Sequence, residues 1–187
     1  MIISDSKKFI FVHVYKTGGT SIRHVLYGYR SNDEKYSKLP QHASARAIRD
    51  CIGEEKWNEY FTFAVVRNPW DLLVSKYHYG LRVGHKDPKY SEPFNREVFN
   101  NFVRKHAGSC QMKSLIDEDG KILVKKIVPF ENLNEEMNAI LEKLGIKKSI
   151  PHLNKSIRGE YREYFDDETR DIVKSCCPDV SFFKMQF

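Results

Sequence analysis

Two short apolar runs, each ending in a basic turn and followed by a helix-spaced stripe, organise the first half of the chain. Phe9–Val14 (FIFVHV) is nearly all apolar and rich in aromatic and β-branched residues, which predicts a strand buried on both faces. Beyond Tyr15–Ser21, residues Ile22, Val25, Leu26 and Tyr29 recur at i, i+3, i+4 and i+7, one face of a helix whose far end Gly28 blurs. Phe61–Val66 (FTFAVV) repeats the buried-strand pattern and runs into Arg67-Asn68-Pro69. There Asn68 predicts a helix cap and Pro69 a first helical turn, with Trp70, Leu73, Val74, Tyr77 and Leu81 facing inward.

Between and after these units the pattern is weaker. Ala43–Ile52 predicts a helix that Trp57–Tyr60 extends, and Asn95–His106 another through Val98, Phe99, Phe102 and Val103. Asp117–Gly120 predicts a turn between two extended segments, the second being Ile122–Val128. Met137, Ile140, Leu141 and Leu144 mark a helix that Gly145 terminates. Asp166 or Asp167 caps a last helix, stopped by Pro178. Val83–Pro93 and the polar, basic Pro151–Tyr164 are the stretches suited to loops that close over a site. Two strand–turn–helix units with basic turns predict an α/β fold, its sheet mostly parallel and its ligands at the strands' carboxyl ends.

Charge sharpens this. The chain has 187 residues, 41% of them hydrophobic and 30% charged, the balance of a globular protein long enough to bury a core as a single domain over 1–187. The net charge is +6, and residues 1–50 hold nine Lys/Arg against four Asp/Glu. A basic N-terminal third suits an anionic ligand, either nucleic acid or a phosphorylated or sulfated small molecule. Cys51, Cys110, Cys176 and Cys177 have neither CxxC nor zinc spacing, and no apolar run approaches the ~20 residues of a membrane span. The expectation is a soluble, cytoplasmic protein without a metal.

The turn after the first run, KTGGTS, has the chemistry of an anion grip. Gly18 and Gly19 allow close approach of backbone N–H groups, and Thr17, Thr20 and Ser21 add hydroxyls. The following helix would aim its positive end at the same point, and Lys16 brings a full charge. Yet the lysine precedes the glycines. The nucleoside triphosphate loop GxxxxGK[ST] is missing, and so is a clear Asp-bearing strand to hold Mg²⁺. A nucleotide or small-molecule kinase of P-loop-like architecture therefore stands second. A nucleic-acid-binding module stands third, since the basic positions gather at turns instead of alternating with aromatics along a face.

FVHVYKTGGTSI resembles the HVPKTGGTS segment of the carbohydrate-type sulfotransferases, the heparan and chondroitin group, with Tyr15 in place of the usual proline. VVRNPWDLLVSKYHY is similar to their 3′-phosphate-binding element, an Arg at a strand end and a Ser eight residues on, here Arg67 and Ser75. PFENL and HLNKSIRGEYREYFDDET are softer matches to later family segments, and the final VSFFKMQF matches only loosely. The resemblance implies a P-loop-like three-layer fold with a central, mostly parallel sheet flanked by helices. It implies sulfuryl transfer from 3′-phosphoadenosine 5′-phosphosulfate to an acceptor hydroxyl on a glycan, lipid or metabolite.

In that reading Lys16, Thr17, Gly18, Gly19, Thr20 and Ser21 hold the 5′-phosphosulfate, and Lys16 also faces the bond that breaks. Arg67 and Ser75 hold the 3′-phosphate, with Lys155, Ser156 and Arg158 as further nucleotide contacts. His42, ahead of a helix in QHASARA, is the expected general base, because imidazole accepts a proton near neutrality. Glu131 is the alternative base, and a surface or capping role is the plain alternative for His42. His13, inside the first run, is expected to be a packed, hydrogen-bonded residue.

Overall fold

A computed structural model of the protein describes residues 1–82, 94–151 and 158–187, with the side chains of Leu81 and Arg82 left out. The fold is mixed α/β. Its contacts form two compact units, Met1–Val66 with Gln111–Asn154, and Arg67–Cys110 with Lys155–Phe187.

The first unit holds a four-stranded sheet ordered β1-β2-β3-β4: β1 (Ile2–Ser4), β2 (Phe9–Val12), β3 (Phe61–Val66) and β4 (Lys126–Pro129). β2, β3 and β4 run parallel in the register Val12↔Ala64 and Val66↔Pro129, while β1 pairs antiparallel with β2. Every residue of β2 is buried, as an unbroken apolar run requires. β2 ends at Val12, two residues earlier than the run, and the carbonyl of His13 instead accepts from His42 at 2.9 Å. Helix α1 (Gly19–Leu26) follows β2, and its Ile22, Val25 and Leu26 join Phe9, Phe11, Phe63, Val65 and Met137 in one core.

Three further helices lead back to the sheet: α2 (Glu34–Ser37), α3 (Ala45–Ile52) and α4 (Glu54–Glu59). Ser44 starts α3 by accepting the Ala47 N–H. The turn at Asp117–Gly120 is closed by an antiparallel bridge between Ile116 and Ile122. The expected strand over Ile122–Val128 is confined to β4, after Lys125 turns its N–H to Thr62. After α7 (Leu133–Lys143), Gly145 at φ 63° ends the helix as predicted. The N–H of Ile146 bonds the Leu141 carbonyl and that of Gly145 the Glu142 carbonyl, a Schellman closure.

The β1 end is tied down by Asp5, which accepts from the Tyr60 hydroxyl at 2.6 Å and pairs with Lys56 at 2.8 Å. Burial alone would raise its carboxyl, but hydrogen bonds from Lys56, Ser31 and Tyr60 outweigh that and hold it at about 2. A folded value below the unfolded 3.8 gives stability that is full above pH ~4 and is lost as pH falls toward about 2. Asp5→Asn is thus expected to cost on the order of 1 kcal/mol at pH 7, discounted for a part-exposed pair. Urea melts should show that gap between wild type and variant shrinking from pH 5 to pH ~3.

The second unit is built on α5 (Pro69–Arg82), α6 (Arg96–His106), α8 (Asp167–Cys176) and α9 (Pro178–Phe182). Asn68 caps α5 through the Trp70 N–H at 3.1 Å, and Asn95 caps α6. Asp166, not Asp167, caps α8 in a box with Thr169. Trp70, Leu73, Val74 and Tyr77 pack with Phe99, Val103, Tyr164 and Phe165, so these aromatics serve the core. Pro178 was expected only to stop α8. It also opens α9, because its fixed φ and missing N–H suit a first helical position.

Candidate active site

The turn after β2 is shaped by strain and close packing. Lys16 has φ 64°, a left-handed conformation that costs a non-glycine residue about 1–2 kcal/mol. Gly18 follows at φ 76°, and α1 begins at once behind it. Among the described residues no side chain caps α1, and its first turn contains no acid. The helix thus brings no acid of its own first turn to its positive end, a setting that suits an anion.

The glycines and hydroxyls of this turn divide their labour. A Cβ on Gly18 would lie 3.0 Å from Phe130 Cε2, and one on Gly19 would fall 1.9 Å from His13 Nε2. Gly19 is thus required by the imidazole edge packed against it. Thr17 is fully buried and donates its hydroxyl to the Val14 carbonyl at 2.9 Å, so its side chain holds the turn and only its backbone faces a ligand. Ser21 is buried, Lys16 half-buried and Thr20 exposed.

His42 stands beside this turn. Its Nδ1 lies 2.9 Å from the His13 carbonyl, its ring 4.3 Å from the His13 ring and 5.4 Å from the Tyr15 ring. Gln41 approaches both imidazoles at 3.4 Å and takes a 2.6 Å bond from Arg23 Nη1. Burial first, and then the nearness of the Met1 amino group, the His42 ring and Arg23, holds His13 at about 3, so it stays neutral. Glu131, the other base candidate, is exposed in the 3₁₀ turn Phe130–Asn132, whose Phe130 abuts Gly18.

In the second unit, Arg67 and Arg158 share one carboxylate. Arg67 Nε bonds Asp71 Oδ2 at 2.7 Å, and Arg158 Nη2 bonds Asp71 Oδ1. Their side chains are only 9% and 12% exposed, so two guanidiniums meet one carboxylate in a poorly hydrated place. Ser75, also buried, lies about two turns into the same stretch on α5. His78 is bonded to the Tyr164 hydroxyl at 2.9 Å, a packing role.

Lys155 and Ser156 lie outside the described residues, as does the Val83–Pro93 stretch. Three contributors went unnoticed in the sequence. Asp71 carried a signal, an acid four residues after Arg67 on a helix. Gln41 and Arg23 carried none, since nothing local marks two residues 18 apart as partners.

The profile described as "Sulfotransferase family" matches residues 1–180. A protein of Archaeoglobus fulgidus named only "Uncharacterized protein" is 26% identical over 117 residues, which cover 62% of this chain and 94% of that one.

Proposed function

Because the chain belongs to the sulfotransferase family, we propose that it moves a sulfuryl group from 3′-phosphoadenosine 5′-phosphosulfate to an acceptor hydroxyl. The reading rests on the turn of Lys16–Ser21, a strained basic residue ahead of a helix start that has neither side-chain cap nor acid. That feature suits a 5′-phosphosulfate, whose charge the backbone N–H groups and Lys16 would match without a metal. The Arg67–Asp71–Arg158 cluster with Ser75 suits the 3′-phosphate, since guanidiniums are the forked donors that match phosphate oxygens. Lys155 and Ser156 belong to the same reading as nucleotide contacts, as does the P-loop-like three-layer arrangement of one catalytic domain.

When bound, the donor supplies an activated sulfuryl group on a phosphate leaving group. His42 takes the proton of the acceptor hydroxyl as its oxygen bonds to sulfur. Lys16 meets the charge that grows on the bridging oxygen as that bond breaks, and the desulfated nucleotide leaves. A carbohydrate is the proposed acceptor, with lipid and metabolite hydroxyls as the other members of the class. The cytoplasm is the proposed setting, which suits four cysteines that form no disulfide. Among the described residues no helix is long and apolar enough to cross a membrane.

The test is ligand-dependent melting. At about 100 times its Kd, 3′-phosphoadenosine 5′-phosphate should stabilise the protein by ~2.7 kcal/mol, several degrees in Tm. Arg67→Ala should abolish most of that shift. No shift of the wild-type protein at millimolar ligand would overturn the donor assignment.

A further inference from the structure

We propose that Gln41, oriented by Arg23, is a positioning residue that, together with the His13 carbonyl, holds His13 and His42 in opposite tautomers, making His13 an N–H donor at the Lys16–Ser21 turn and His42 a proton acceptor. The inference deepens the sulfotransferase reading and rests on His42 being its base.

The assignment follows from which atoms can donate. A guanidinium has only donors, so the Gln41 atom 2.6 Å from Arg23 Nη1 is the amide oxygen. The amide nitrogen is thereby turned to the histidines, 3.4 Å from His13 Nδ1 and 3.4 Å from His42 Nε2. It has two hydrogens, one for each ring, and both ring nitrogens must accept. A backbone carbonyl accepts only, so His42 Nδ1, 2.9 Å from the His13 oxygen, holds the hydrogen of that ring. Two independent partners thus place the His42 lone pair on Nε2. His13 has its hydrogen on Nε2, the nitrogen against Gly19. Its depressed proton affinity keeps one hydrogen, not two, on that ring at neutral pH.

The geometry also shows how His42 is both held and available. The bond at Nδ1 is short, whereas the Gln41 contact at Nε2 is long and weak. An acceptor hydroxyl can displace that contact and transfer its proton to Nε2, breaking O–H and forming N–H. The imidazolium so formed keeps its Nδ1–H on the His13 carbonyl. Gln41 supplies orientation and gives up its place at Nε2 to the hydroxyl, the arrangement by which a second group fixes the tautomer of a catalytic histidine.

Protein with ¹⁵N-labelled histidine, observed by long-range ¹H–¹⁵N correlation at pH 7.5, reads the tautomers directly. The expected result is hydrogen on Nδ1 of His42 and on Nε2 of His13. Gln41→Leu should mix the tautomers of His13, leave His42 with its hydrogen on Nδ1 but its ring less firmly oriented, and lower kcat about tenfold or more, with affinity for 3′-phosphoadenosine 5′-phosphate changed less than about twofold. Gln41→Glu retains the volume and the Arg23 bond but offers only acceptors, and should turn the His13 hydrogen to Nδ1 if Gln41→Leu fails to fold. Hydrogen on Nε2 of wild-type His42, or an unchanged His13 tautomer in a folded Gln41 variant, would overturn the proposal. The expected tautomers in a protein that transfers no sulfuryl group would uphold the positioning and overturn only the sulfotransferase reading.

Discussion

Asp71→Ala is expected to destabilise the protein by about 3–5 kcal/mol, the usual cost of removing one partner from a buried ionic cluster. Asp71 is the carboxylate between Arg67 and Arg158, and all three side chains are 12% exposed or less. Without it two guanidiniums face each other away from water, each having lost a charge-assisted hydrogen bond. The attribution can be separated from simple loss of packing. Asp71→Asn preserves the shape and can still accept from one arginine, so it should recover part of the loss. If the penalty is uncompensated charge, adding Arg67→Met to Asp71→Ala should restore stability instead of lowering it further, a coupling that a double-mutant cycle measures. Equal, additive losses in chemical denaturation would show that the cluster is not electrostatically linked.

The same cluster shows what the chain's local order does and does not encode. Phe9–Val12 and Phe61–Val66 were legible as buried strands because burial on both faces demands an unbroken apolar run. Asn68, Gly145 and Asp166 were legible because a helix end has its own hydrogen-bond chemistry within a few residues. Arg67 and Arg158 could be singled out as basic positions, and the i,i+4 spacing offers Asp71 to Arg67, but that Arg158 shares it could not be read, because 87 residues separate Asp71 from Arg158. Strand β1 escaped for a related reason. Three residues hold too little pattern, and it is pairing with β2 that makes Ile2–Ser4 extended. Gly19 suggested anion contact, whereas the structure gives its bare Cα a second reason, the His13 ring. Chemistry written in spacing can be read along the chain, and chemistry written in tertiary contact cannot.

His42→Ala should lower kcat for sulfuryl transfer by about 10²–10⁴-fold, the range in which a positioned base contributes. Such a loss corresponds to roughly 2.7–5.4 kcal/mol of transition-state stabilisation. The nucleotide affinity and the ligand-induced shift in Tm should hardly change, because the residues assigned to the donor lie in the Lys16–Ser21 turn and around Arg67. Folding should also survive, since His42 is exposed and its one short bond is to the His13 carbonyl. That separation of kcat from binding distinguishes a base from a structural histidine, whose loss would weaken both. Addition of imidazole offers a sharper check, as the truncated side chain leaves room for a diffusible base to restore part of the rate. Rescue should grow with the concentration of the neutral form and so rise through the pH range where free imidazole deprotonates, near 7. If His42→Ala transfers at a near-normal rate while Glu131→Gln does not, the proton goes to Glu131, on the turn whose Phe130 abuts Gly18. A His42→Ala protein that loses nucleotide binding together with transfer would instead assign His42 to building the turn and leave the base to be sought elsewhere.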